Sequence, residues 1–382
     1  MPKQIREHGG ESGQILVIVA VGLFAMIAML ALVVDGGHAW GQQRDAQNGS
    51  DAISEAGAIK LAENLPYKAA GQALPNQNGD VAAAVNAMAL ANAIDLDEAW
   101  YTDFAGTTRV GTGPVVGPNA LPAASDPPAG AAGVEAVGSK EFDTFIGSFL
   151  GFDKMTAHAN ATAIAGYVET IASGNTLPVT FPVNLLTCSN NNRPVTSGNP
   201  WPLNVDVTVP LCAGDPGNVG WLDWTPPNGG VSELVNAIQH PELVSPEIST
   251  PEWYFVSQTG NVSSANVQNA LMEYANDPDD QAVYIPLFDA TCSTDPPGVL
   301  ANACTTGPGN GQNQYYHFAG WASFDIEWID LNGGSGRCGS GNGSTGCFFG
   351  QFRGVFGMPS GTLRAGTDHE SPLALVGIQL AK

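Results

Sequence analysis

The sequence has little positive charge. Of 382 residues only 13 are Lys or Arg against 36 Asp or Glu, so the formal charge is −23. Binding to phosphate backbones needs clustered cations, and the absence of any Lys/Arg cluster argues against a nucleic-acid partner. Signatures of catalysis and cofactor binding are also missing. There is no Gly-Lys pair for a P-loop and no G-x-S-x-G elbow for a nucleophilic serine. The histidines (His8, His38, His158, His240, His317, His369) stand far apart, and neither H-E-x-x-H nor C-x-x-C occurs, so no zinc site is expected. GSGRCG and GNGSTG, within residues 333–346, match G-x-G-x-x-G only formally, because a dinucleotide site needs a strand before and a helix after. No period of 20 to 50 residues is visible, which disfavours a solenoid or propeller. No cofactor is expected.

What is present begins with one apolar run. Residues 15–34, ILVIVAVGLFAMIAMLALVV, carry no charge and only Gly22 departs from apolar character. Twenty helical residues rise about 30 Å, the thickness of a bilayer's hydrocarbon core. The segment reads as a transmembrane helix. Its competitors are a buried core helix, which seldom lacks a polar face over such a length, and a signal peptide cleaved near Gly37-His38-Ala39. Lys3 and Arg6 precede the run while Asp35 ends it, so the positive-inside bias places the N-terminus in the cytoplasm. Residues 1–14 then form a cytoplasmic start of zero net charge, with Glu7 and Glu11 balancing the two cations, and the whole −23 lies beyond the membrane.

All six cysteines (Cys188, Cys212, Cys292, Cys304, Cys338, Cys347) fall on that far side, where an oxidising compartment permits disulfides. Fifteen pairings are open. Cys338–Cys347 is favoured by the short Gly-rich segment between them, with Cys188–Cys212 and Cys292–Cys304 following from proximity in sequence.

Beyond Asp35 the helix is expected to continue as a stalk until Pro66 stops it. Ala39, Ala46, Ser50, Ile53 and Gly57 form a stripe of mostly small residues that would let another helix approach closely, or would pack on the chain's own domain. Gly13-Gln14 before the apolar run, then Asp35, Gly37, Trp40, Arg44, Ala46-Gln47, Ser50-Asp51-Ala52 and Ala56-Gly57-Ala58, carry a resemblance. This order and spacing is similar to the N-terminal module of Tad/Flp pilus-assembly proteins of the TadE/TadG-like group. The alanines usual around Asp51 in that group are replaced by Gly49, Ser50, Ile53 and Ser54. Pilins of this system have a Glu at the fifth position after the cleavage-site Gly, and counting from Gly13 that position is Ile18. The resemblance therefore implies an unprocessed TadG-type partner and not a cleaved pilin, with other pilus or envelope assembly proteins as partners and association of copies through the stalk helix. An Ala-rich strand over residues 156–165 extends the resemblance.

The exported region reads as α+β, mixed and mainly β with a few helices. Residues 81–94 are an Ala-rich helix, and residues 106–138 are an irregular connection that could hold a boundary. Residues 155–163 alternate alanine with polar residues, as do the apolar positions of residues 203–209 and 283–287, so strands are expected. HFAGWASFDIEW sets Phe324, Ile326 and Trp328 on one face, and residues 373–380 read as a closing strand. Two helices are expected, over residues 231–238 and from Ser263-Ser264 to Asp277-Pro278, the second with Val267, Ala270, Leu271 and Tyr274 on one face. The domains expected are residues 35–166, stalk and first exported unit, and residues 174–382, a Cys- and Trp-containing unit.

Two acidic clusters offer oxygen ligands for calcium: Asp277, Asp279 and Asp280, and Asp95, Asp97 and Glu98. Neither has the glycine of an EF-hand loop. There is no D-x-S-x-S metal-adhesion run. Trp201, Trp221, Trp224, Trp253, Trp321 and Trp328 would fill a core or stack on a ligand. The expectation is a membrane-anchored, non-enzymatic assembly component. The rivals are a surface-anchored adhesive module that presents its tryptophans, and an anchored hydrolase without a recognisable motif.

Overall fold

The computed structural model describes residues 12–69, 71–182, 205–212, 221–224, 230–256, 264–276, 282–306, 314–331, 344–353, 361–366 and 374–381. In chain order the elements are α1 Ser12–Ala69, α2 Asn78–Ala91, β1 Asp95–Thr102, β2 Gly133–Asp143, β3 Lys154–Val168, β4 Thr170–Ile171, β5 Phe181–Pro182 and β6 Asp206–Cys212. They continue with α3 Val231–Gln239, α4 Pro241–Val244, β7 Ile248–Ser249, β8 Glu252–Val256, α5 Ala265–Asn276, β9 Ala282–Cys292, β10 Gln314–Asp330, β11 Ser344–Arg353, β12 Leu363–Arg364 and β13 Val376–Leu380. A long N-terminal helix leads into mixed sheets with a few helices, an α+β fold.

α1 has 58 residues and is about 87 Å long. Its first part has a mean hydropathy of 3.0 and is almost wholly uncovered, so by length and composition it can cross a membrane. Pro66 does not stop it. The missing N–H falls in the last turn, so only one ladder bond is lost before the helix ends at Ala69, and Gly71 turns the chain at φ +65°.

The outer part of α1 lies on an antiparallel sheet of order β1-β2-β3-β12, in which β13 also pairs with β3. The alternation of β3 works as its pattern requires: Ala157, Ala159, Ala161, Ala163 and Ala165 are buried. Alanines on that face let the helix come close, and Ala46, Ile53, Leu61 and Ala62 of α1 join Val81 and Val85 of α2 and Val134 of β2 in one core. The small-residue stripe thus packs on the chain's own sheet and is not free for lateral helix contacts. The connection over residues 106–138 stays against the first sheet. β1 and β2 on either side are paired, and Val115 and Leu121 of the connection enter the same core.

The second sheet runs β5-β9-β10-β11-β6, with β8 on the same edge of β10 as β11. Phe181, Phe324, Phe348 and Phe352 meet edge to face at its centre, and Val267, Ala270 and Leu271 of α5 with Leu234 and Ile238 of α3 cover them. The face expected for Trp328 is taken by Ile329. A bulge between Ile326 and Trp328 shifts the register by one, so the alternation changes phase and Trp328 ends half-buried.

The last strands of residues 174–382 pair with a strand of residues 35–166. β12 and β13 return to pair with β3, β12 with Leu363 opposite Val168, and β13 from Val376 opposite Tyr167 to Leu380 opposite Ala163.

 The closing strand of the chain therefore completes the first sheet. Between the sheets Val168, Leu363 and Leu375 pack with Phe318 and Trp321 of β10, and the Val168 N–H donates to the Leu375 carbonyl at 3.0 Å. A third core cluster therefore draws residues from both sides of the boundary expected near residue 170.

Candidate functional site

The residues that carry the resemblance lie along α1, and the structure joins several of them to the β2–β3 hairpin. Gly13 and Gln14 sit in its first turn. Asp35, the first charged residue after the apolar run, is buried and accepts the backbone N–H groups of Phe145 at 2.7 Å, Ile146 at 3.1 Å and Gly147 at 2.6 Å. These belong to the turn joining β2 to β3, so the carboxylate caps a run of otherwise unpaired donors. Desolvation pushes the carboxyl pKa up, but the N–H donors of Phe145, Gly147 and Ile146, with nearby His38, outweigh it, and the net pKa lies below the ordinary carboxyl value.

Further out the same pattern repeats with amides. Gln43 Nε2 donates to the His158 carbonyl at 2.6 Å, and Gln47 Nε2 to the Asn160 carbonyl at 3.1 Å and the Asp51 carboxylate at 2.9 Å. His158 and Asn160 alternate on β3, so their carbonyls leave the same edge, one that β13 does not reach because it pairs only from Ala163 onward. The helix's glutamines satisfy an edge that no strand covers among the described residues. Lys140 reaches Asp45 at 3.5 Å, a surface ion pair of small weight. Gly57 closes the seam: a Cβ there would lie 2.9 Å from methyls of Val134 and of Val85. Ala52 and Asp51 are half-buried beside it, while Gly37 faces open space and Trp40 is exposed with the Arg44 guanidinium 5.4 Å from its ring centroid. Gln43 and the turn at residues 144–152 were not singled out from the sequence. The turn had a signal: nine uncharged residues, TFIGSFLGF, between Asp143 and Asp153.

The other candidates do not converge on chemistry. Among the described residues no group of three His, Cys, Asp or Glu could hold a metal ion. Asp95, Asp97 and Glu98 are spread along β1, and Glu98 is engaged by Arg109 and by Trp100 Nε1. Asp277, Asp279 and Asp280 lie outside the described residues, as do residues 332–343 of the Gly-rich stretch. His317 of β10 is buried with Nδ1 2.5 Å from Asp289 and Nε2 2.9 Å from the Val299 carbonyl. With an acceptor at both nitrogens, the imidazole ties Asp289 of β9 to the loop that follows it. Trp253 Nε1 donates to the Leu300 carbonyl of the same loop, and the Cys292–Cys304 disulfide closes it. Cys347 is also disulfide-bonded, while Cys188 and Cys338 lie outside the described residues and Cys212 ends β6. Trp221 and Trp321 are core residues, Trp224, Trp253 and Trp328 are half-buried, and Trp201 lies outside the described residues. A cleft of about 330 Å³ at the end of α1, lined by Leu65, Lys68, Phe104 and Tyr167 among others, is mainly apolar.

Residues 13–54 match the model of a family described as "Putative Flp pilus-assembly TadE/G-like". The N-terminal module is TadE/G-like. The match begins at the Gly-Gln pair, crosses the apolar run and ends inside the part of α1 that bonds to the hairpin. No curated protein and no solved structure matches the chain. The module's motif positions therefore have a physical role in this fold. Asp35, Gln47 and the small residues after them hold one helix to one hairpin.

Proposed function

We propose that this protein is a non-catalytic, single-pass envelope component of Flp-type pilus assembly. In this reading residues 1–14 are cytoplasmic, residues 15–34 span the cytoplasmic membrane, and the acidic domain lies outside the cytoplasm. The observation that carries it is one continuous helix. The TadE/G-like stretch runs from an uncovered apolar half into a half built onto a sheet, so a force applied in the membrane reaches the domain without a flexible joint. Partners in the membrane meet the apolar half, since the stripe beyond it is occupied by β2, β3 and α2. Like charge on the exported part keeps copies soluble and apart.

Deleting the gene and imaging cells by electron microscopy tests the function. Surface pili should be lost or sharply reduced and restored by the full chain; normal pili in the deletion strain would contradict the proposal. Protease added to intact or permeabilised cells tests the orientation, and a domain digested only after the cytoplasm is opened would refute it.

A further inference from the structure

The turn capped by Asp35 has a composition that its place in the fold does not require. Phe145, Phe149 and Phe152 are exposed at 60%, 87% and 67% of their surfaces, in a turn without a charged residue. Three exposed phenylalanines so close together are unusual on a surface facing water. Charged residues flank them, with Asp143 and Asp153 on either side and Glu141 paired to Lys154 at the base of the turn.

Position supplies the occupant. The hairpin runs down α1 toward its apolar half: Asn160 and His158 meet Gln47 and Gln43, and the tip reaches Asp35. The contact continues one turn deeper. Ala31 is 7% exposed although Ala25 and Ala28, on the same run, are exposed. Ala31 and Asp35 share a face of the helix, the face that the turn covers. A turn at the depth of Ala31 and Asp35 lies at the boundary where the hydrocarbon core gives way to headgroups.

The backbone is also prepared for a low dielectric. Asp35 takes the N–H groups of residues 145, 146 and 147, the Phe149 N–H donates to the Ile146 carbonyl, the Gly151 N–H to Ser148 and the Phe152 N–H to Gly147. The Thr144 hydroxyl donates to the Phe152 carbonyl. Donors satisfied inside the turn need no water, which is the condition for entering a bilayer. His38 packs edge-on against Phe142 and Phe145, and Trp40 stands exposed nearby on α1, both amphipathic rings suited to an interface.

We infer that the β2–β3 turn is a second membrane contact, which inserts Phe145, Phe149 and Phe152 into the outer interface of the bilayer that α1 crosses. The inference rests on the membrane-spanning reading of residues 15–34. With helix and turn both engaged, the domain has two points of attachment and cannot swivel about the helix axis. An interfacial occupant fits better than a protein groove, because the charged residues at the base of the turn stay hydrated at headgroup level while the apolar tip matches the acyl boundary beneath.

The test uses the full chain in vesicles of phosphatidylcholine and phosphatidylglycerol. Fluorophenylalanine is placed singly at Phe24, Phe149 or Phe255, the last an exposed residue of β8. Fluorine line widths are then compared with a nitroxide near the top of the lipid acyl chain and with a water-soluble relaxation agent. Phe149 should be broadened several-fold more by the lipid nitroxide, as Phe24 is, while Phe255 responds to the aqueous agent. If Phe24 responds to lipid and Phe149 to water, the inserted turn is wrong and the spanning helix stands. If Phe24 also fails to respond to lipid, the spanning reading itself has failed and the inference with it. Broadening of Phe149 by neither agent, with a dependence on protein concentration, would assign the turn to a second copy and overturn the inference.

Discussion

The two halves of α1 are one helix in two environments. In residues 15–34 the side chains are apolar and, Ala31 apart, exposed, and a Cβ added at Gly22 would meet nothing within 4 Å. In residues 35–69 one face is small or amide-bearing, and a Cβ at Gly57 would strike three methyls. The backbone is the same and the partners differ. A glycine in the first half is only a weak helix former, whereas in the second half it is the clearance that lets the helix seat on its sheet. Between the halves stand Gly36 and Gly37, a pair at which helices often bend. Asp35 on one side and Gln43 on the other tie the helix to the same hairpin and splint it across that pair.

Substitutions that treat the halves as equivalent should expose this contrast. The largest effect is expected for Gly57→Leu, which overpacks the seam and should cost about 3 kcal/mol of domain stability, while Gly22→Leu should stay within about 0.5 kcal/mol. Chemical denaturation of both variants in the same detergent checks it, and equal losses would break the comparison. Replacing Cys292 and Cys304 together by Ser reopens a short loop in the second sheet and should also cost about 3 kcal/mol. That loss should leave hydrogen exchange in residues 43–57 unchanged if the brace is independent of the loop.

Gln47→Ala removes two hydrogen bonds of the brace and should cost about 1 kcal/mol, with Gln43 still holding the edge. Faster exchange of the amides on the β3 edge near Asn160, compared with those facing β2, is the signature. Asp35 gives the most local effect. Its carboxyl pKa is depressed in the folded state, so its contribution is complete above the ordinary carboxyl value and is lost as pH falls through the lower, folded value. The amides of residues 145–147 should therefore open on acidification while the rest of the sheet holds, and Asp35→Asn should remove that pH dependence.

Local patterns were legible in the sequence, and long-range ones were not. The alternating alanines of β3, the apolar run and the helix face of Val267, Ala270 and Leu271 depend only on neighbours, so periodicity reveals them. The phase change at Glu327 is a one-residue bulge that no alternation announces. The return of residues 376–380 to β3 depends on a partner about two hundred positions away, which composition cannot specify. Asp35 was visible as the end of a membrane segment, but its role as the cap of a turn more than a hundred residues later depends on hairpin length and register. The stripe of small residues said that something packs closely on α1. It could not say whether that was another helix or the chain's own sheet.

The central claim, that α1 passes unbroken from its apolar half into the domain, is tested most directly by amide hydrogen exchange of the full chain in lipid nanodiscs. A splinted helix predicts slow exchange at Gly36, Gly37 and His38, comparable with the protected turns on either side. Fast exchange confined to those amides would show a hinge between membrane and domain and contradict the account.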